Sequence, residues 1–208
     1  MTVAREPGRR HRERICGAVL VGGASLRMGR DKAGVVFGGR TLLSRVAETL
    51  AEVADRVLVV ARADQAVDAP SGTELVRDAI AGAGPLAGLD AALRASGSDV
   101  LIVVAVDMPL VRRDVLELLI DAAQADPAAD AVMLVSDHGV EPLHAVYRPS
   151  ATSVIASRLG RGAFRLLDLI DDLDVVLIPP ERWRALDPDG VSTTNVNTPE
   201  DLQRIDRR

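Results

Sequence analysis

The segment Leu20-Val21-Gly22-Gly23-Ala24-Ser25-Leu26-Arg27-Met28-Gly29-Arg30-Asp31-Lys32 joins two adjacent glycines to cationic side chains. Glycine has no Cβ, so its backbone N–H groups can approach an anion closely. Arg27 and Lys32 bring positive charge to the same loop. That combination suits a polyphosphate, and it can counter the charge that grows as the phosphate reacts. Two common phosphate loops are excluded. Lys32 is followed by Ala33, where the Walker form needs Ser or Thr, and Gly23 and Gly29 lie too far apart for Gly-x-Gly-x-x-Gly.

Val103-Val104-Ala105-Val106-Asp107-Met108-Pro109 sets a carboxylate where a wholly apolar run ends. Asp107 could hold a hard divalent cation such as magnesium through oxygen. The alternative is a cap on the next helix, although helical pattern resumes only near Arg112. Gly82-Ala83-Gly84-Pro85-Leu86-Ala87-Gly88 is a second glycine-rich turn. It reads either as a tight strand-to-helix connection packed at Gly88, or as close backbone approach, near Gly84, to a base or ribose. Asn195 and Asn197 can donate and accept toward a polar substrate or a metal's ligands. They can equally shape a turn before the last helix.

Other features point away from alternative chemistries. His138 and His144 lack a second ligand at zinc-binding spacing. No Gly-x-Ser-x-Gly elbow is present. Asp168, Asp171, Asp172 and Asp174 read as a solvated helix end, and Arg158, Arg161 and Arg165 as a solvated basic face that could instead meet an anionic substrate.

Positioning these residues requires a scaffold. Apolar runs predict strands over Ile15–Val21, Val57–Ala61, Glu74–Arg77, Val100–Val106, Ala131–Val135, Leu143–Tyr147 and Val175–Ile178. Helical periodicity predicts helices over Thr41–Ala54, Pro85–Ala95, Arg112–Ala125, Pro149–Leu159 and Pro199–Ile205. Thr198 is placed to cap the last helix, with Asp201 three residues on. The alternation predicts an α/β fold, a mainly parallel sheet flanked by helices on both faces. Ligands of such sheets sit beyond the carboxyl ends of the strands. The glycine loop after the first strand, Asp78 after the third and Asp107 after the fourth all fall on that rim.

Composition narrows the class. The 208 residues suit one domain, read as residues 15–208 behind a disordered tail, 1–14. Hydrophobic residues make up 48% and aromatics only 2%, so the core must be Ala, Val and Leu. Few aromatics and a net charge of −5 argue against nucleic acid as a partner. Arg9 to Arg14 followed by Ile15 to Val21 imitates a signal peptide, but the apolar run is about seven residues and ends in a charged loop. No apolar stretch is long enough to span a membrane. A lone cysteine, Cys16, fits a reducing cytoplasm.

Gly-Gly-x-Ser-x-Arg-Met-Gly-x-Asp-Lys, starting at Gly22, resembles the signature of the small nucleotidyltransferases, most closely the MobA-like molybdenum cofactor guanylyltransferase family. Asp107-Met108-Pro109-Leu110 resembles the family's metal-binding Asp-x-Pro segment. Gly84-Pro85-Leu86-Ala87-Gly88, with Asp78 upstream, resembles its nucleotide-facing segment. Asn195-Val196-Asn197-Thr198-Pro199-Glu200-Asp201 resembles its late Asn-x-Asn-x-Pro-Glu motif. The likeness runs from Gly17 to about Ile205. It implies a Rossmann-like fold and magnesium-dependent transfer of GMP from GTP to molybdopterin, with release of pyrophosphate. It implies that the backbone of Leu20, Val21, Gly22 and Gly23 holds base and phosphates, that Arg27 and Lys32 neutralise the triphosphate, that Asp107 holds magnesium and that Asp78 contacts the nucleoside. Transient contact with other cofactor-biosynthesis proteins would follow. Departures include Val21 for the usual Ala, Val60 where some relatives carry a polar residue, and Glu141-Pro142 for a common His-Pro pair. Gly160-Arg161-Gly162-Ala163 also carries fewer basic groups than its counterparts. Transfer from CTP, transfer to a sugar phosphate, and a catalytically dead nucleotide-binding regulator are the alternatives.

Overall fold

The computed structural model describes residues 12–22, 32–80 and 82–206. In chain order the elements are β1 (Ile15–Leu20), the two-residue strands β2 (Val36–Phe37) and β3 (Arg40–Thr41), α1 (Leu42–Ala51), β4 (Arg56–Arg62), β5 (Thr73–Asp78), α2 (Pro85–Ser96), β6 (Val100–Ala105), α3 (Arg113–Ala125), β7 (Ala131–Ser136), β8 (Gly139–Tyr147), α4 (Ala151–Gly160), α5 (Leu169–Asp172), β9 (Val175–Ile178), α6 (Pro180–Trp183) and α7 (Pro199–Asp206). Seven strands form one sheet in the order β5-β4-β1-β6-β8-β7-β9. Neighbours pair in parallel except β8, which runs antiparallel to both β6 and β7.

The apolar runs are continuous because both faces of the sheet are covered. Val57, Val59, Val100, Ile102 and Val104 pack toward α1 and α3. The residues between them, Leu58, Val60, Leu101 and Val103, pack toward α2 and α4. Small aliphatic residues dominate both layers, as the composition requires. Trp183 and Tyr147 are the large exceptions, each fully buried with its polar atom bonded to a backbone carbonyl: Trp183 Nε1 to Val135 at 3.0 Å, Tyr147 Oη to Pro142 at 2.7 Å.

Differences from the sequence reading have local causes. Thr41 caps α1 instead of opening it; its Oγ1 accepts the Ser44 N–H at 3.0 Å. The β2–β3 hairpin escaped because its strands are so short, yet its turn, Gly38-Gly39, has positive φ at both residues, as such hairpins require. Strand β8 starts four residues before Leu143, and its register against β7 slips between Met133 and Leu134. Arg12–Arg14 do not belong to a free tail. The Arg14 N–H donates to Asp99 Oδ2 at 2.8 Å, and Glu13 pairs with Arg148 at 2.9 Å.

Two further expectations need correction. Arg158 is no solvated face: its guanidinium is buried and bonded to Asp168 at 2.9 Å and to Asp172. The acidic stretch is therefore in part the counter-charge of Arg158, with Arg161 also on Asp172. Gly88 does lie against Leu20 and Val60, but an added Cβ would meet them at 3.6–3.8 Å, ordinary contact. Packing does not require glycine there.

His144 points into the core from β8, opposite Val104. It is fully buried, and neither ring nitrogen meets a hydrogen-bonding partner among the described residues. Burial pushes its pKa from 6.5 down to about 4, with Asp187 pulling weakly the other way. The unfolded chain binds a proton below 6.5 while the folded chain refuses it until about 4, so stability is lost as pH falls through that window. His144→Leu should remove the loss. Denaturant unfolding should show the variant gaining about 3 kcal/mol on the native protein as pH falls across the window. A gap independent of pH would mean that His144 takes up its proton as readily in the folded as in the unfolded chain. The comparison is differential because Asp78, whose burial raises its carboxyl pKa, acts in the opposite direction.

Candidate active site

Strand order reverses at β1. The chain passes from β1 outward to β4 and β5, then returns to lay β6 on the other side of β1. The crevice for a ligand opens between the carboxyl ends of such a pair. Leu20, the last residue of β1, stands in register with Ala105, the last of β6, and the Leu20 carbonyl accepts the Val106 N–H at 3.1 Å. The glycine loop and Asp107 thus leave the sheet side by side.

Lys32 opens a short 3-10 turn, Lys32–Gly34, where the chain returns from the glycine loop. Its Nζ lies 3.1 Å from Asp107 Oδ2 and donates to Asn197 Oδ1 at 2.6 Å. The side chains of Lys32 and Asp107 are 12% and 24% exposed, so their attraction is only partly screened by water. An ammonium has three donors; these contacts use two. The Asn197 segment is fastened by the fully buried Val196, whose N–H donates to the Asp107 carbonyl at 2.7 Å. Asp107 therefore holds Lys32 through its side chain and the late segment through its backbone. Helix α3 begins at Arg113 with Arg112 at its cap, so Asp107 caps no helix.

The remaining expected residues that are described make different contacts. Asp78 ends β5 and is buried; burial holds its carboxyl above the usual carboxylate range, with Arg62 acting against that. Gly84 caps α2 with φ +61°, a conformation costly to any residue with a side chain, directly before Pro85. Val21 departs from its expected role: its N–H is spent on the Val60 carbonyl at 2.8 Å. With the Leu20 carbonyl also bonded in the sheet, the described backbone best able to face a ligand begins at Gly22. Gly23 and Arg27 lie outside the described residues. Asn195 is half-buried on the same segment as Asn197, but only Asn197 is bonded to Lys32.

One signal in the sequence went unread. The chain has 25 lysines and arginines, and Lys32 is the only lysine. Everywhere else arginine supplies the positive charge; here a compact ammonium meets two oxygens at once. A metal could be held by Asp107. Among the described residues no three His, Cys, Asp or Glu side chains stand together as a protein-only cage. A single carboxylate fits magnesium arriving with phosphates, an ion that commonly takes one or two protein carboxylates and completes its ligands from substrate and water.

Comparison with known proteins bears on the family and the fold. Residues 17–176 match the family model described as the MobA-like NTP transferase domain. A protein of Opitutus terrae named "Probable molybdenum cofactor guanylyltransferase" is 38% identical, over 93% of this chain and 96% of its own. A "Molybdenum cofactor guanylyltransferase" of Desulfosudis oleivorans is 32% identical, over 92% and 94%. The crystal structure of molybdopterin-guanine dinucleotide biosynthesis protein A from Archaeoglobus fulgidus superposes with a TM-score of 0.78 at 32% identity, covering 92% of this chain and 97% of that one.

Proposed function

This chain belongs to the MobA-like NTP transferase family, and we propose that it is the nucleotidyltransferase that moves GMP from GTP onto the terminal phosphate of molybdopterin. One observation carries the reading beyond the names of relatives: Lys32, Asp107 and Asn197, from three distant parts of the chain, converge at the rim where the strand order reverses.

The chemistry follows from the groups present. An oxygen of the acceptor phosphate attacks the α-phosphorus of GTP. The bond from that phosphorus to the bridging oxygen breaks, and pyrophosphate leaves. The attacking oxygen is already anionic at neutral pH, so no strong base is needed. Catalysis is then positioning and charge neutralisation. Lys32 turns its third donor to the triphosphate, joined by Arg27 from the glycine loop. Gly22 and Gly23 let the loop backbone approach base and phosphates. Asp78 contacts the nucleoside, the Gly84 turn lies along it, and Asn195 and Asn197 face the acceptor side. Asp107 would hold magnesium, which when bound would neutralise phosphate oxygens. A cytoplasmic setting suits these substrates, and among the described residues no helix is long and apolar enough to cross a membrane.

Asp107→Asn keeps the side chain's shape and the backbone bond to Val196 while removing the charge. Turnover should fall about a hundredfold or more, with the melting temperature little changed. Near-normal turnover at ordinary magnesium would take Asp107 out of the metal role.

Base choice is tested by competition between GTP and CTP with molybdopterin, followed by mass analysis of the product. The expected product is the guanine dinucleotide. In the related cytidylyltransferases, alanine tends to occupy the position of Gly22, and a methyl there narrows the space for a purine. Among the described residues an added Cβ at Gly22 would meet Arg62 Cγ, at 3.6 Å, an ordinary contact, and Gly22→Ala should erode the preference for GTP. Equal or greater incorporation of CTP by the native protein would overturn the guanylyl assignment and leave nucleotidyl transfer standing.

A further inference from the structure

We infer that Asp201 is a positioning residue, setting the Asn197 side chain that holds the Lys32 ammonium; the inference rests on the reading of Lys32 as the phosphate-facing cation. At the start of α7, Asp201 Oδ2 accepts the Thr198 N–H at 2.9 Å and Thr198 Oγ1 accepts the Asp201 N–H at 3.2 Å. That reciprocal pair is a capping box, and it would suffice to begin a helix. The same carboxylate oxygen also accepts the Asn197 N–H at 2.9 Å, one residue before the cap. The cap does not need this third bond. Its effect is to fix the backbone from which the Asn197 side chain reaches Lys32 at 2.6 Å.

The segment is thereby held from two sides. The Val196 N–H is bonded to the Asp107 carbonyl, and the Asn197 N–H to Asp201. Between them stands an exposed asparagine. Three N–H and O–H contacts, that from Asn197 first among them, hold the Asp201 carboxyl below the usual carboxylate range, so it stays charged and accepting at neutral pH. Arg204, 3.6 Å away on the next turn of α7, adds to this. A displacement of about 1 Å in a group that positions reacting atoms can cost a hundredfold in rate, so fixing one asparagine has catalytic weight.

The sole lysine makes the idea measurable without substrate. Protein labelled with nitrogen-15 at the lysine ζ position yields a single side-chain signal, that of Lys32. In mildly acidic, cold buffer, Asp201→Ala should speed exchange of its ammonium protons with water by about tenfold, the value of one modest hydrogen bond. Asp201→Glu should restore slow exchange. Thr198→Ala, which removes the other half of the capping box, should lower the melting temperature yet leave the exchange unchanged. In the Asn197→Ala background, Asp201→Ala should add nothing. With GTP and molybdopterin, Asp201→Ala should lower kcat about tenfold with little change in the KM for GTP. Unchanged Lys32 exchange in folded Asp201→Ala overturns the inference, as does equal acceleration by Thr198→Ala. Should the alanine variant not fold, Asp201→Asn, which keeps the shape without the charge, must show the faster exchange. Exchange is read on the free protein, so a failure of guanylyl transfer itself would appear only in the turnover assay.

Discussion

A single ammonium group organises this molecule's functional end. Lys32 Nζ is shared by a carboxylate 75 positions along the chain and an amide oxygen 165 positions along. Lysine and aspartate neutralise one another in a partly buried place, where either charge alone would be costly. The pair is also poised. Polyphosphate can recruit the lysine's remaining donor, and a divalent cation can claim the aspartate. Between them, the Lys32–Asp107 pair carries no net charge.

The sheet makes this meeting possible. Because β6 returns to the far side of β1, the loop that ends in Lys32 and the bend that carries Asp107 start from adjacent strand ends. Backbone bonds then fasten the rim: Val106 to Leu20, and Val196 to Asp107. The reversed strand β8 lies on the other side of β6, where it supplies the buried His144 to the core. Packing on two faces by valine, leucine and alanine leaves the rim as the place where polar side chains gather.

Much of this was legible in the residues. Unbroken apolar runs such as Val100–Val106 revealed strands covered on both faces, and Asp107 stood out because it ends one. Gly22-Gly23 followed by Arg27 and Lys32 reads as an anion loop, of which Gly22 and Lys32 lie among the described residues. Other features were hidden for physical reasons. The role of Asn197 depends on a contact across most of the chain, which local turn chemistry cannot reveal. Asp201 looked like an ordinary cap, because a capping box has the same spacing whether or not its carboxylate takes another N–H. Arg158 looked solvated, because its acidic partners lie on a different segment. The Val21 N–H looked available until the sheet register assigned it to Val60. The rarity of lysine was the overlooked signal, visible in composition and unexplained until the ammonium was seen between two oxygens.

The central claim is that the site needs a compact ammonium at Lys32 and not merely a positive charge. Turnover of GTP and molybdopterin by Lys32→Arg and Lys32→Met tests it directly. A guanidinium keeps the charge but cannot place rotating donors on Asp107, Asn197 and a phosphate together. Both variants should lose about a hundredfold or more in kcat, while GTP binding weakens much less. Near-native turnover by Lys32→Arg would contradict the account, since charge alone would then suffice.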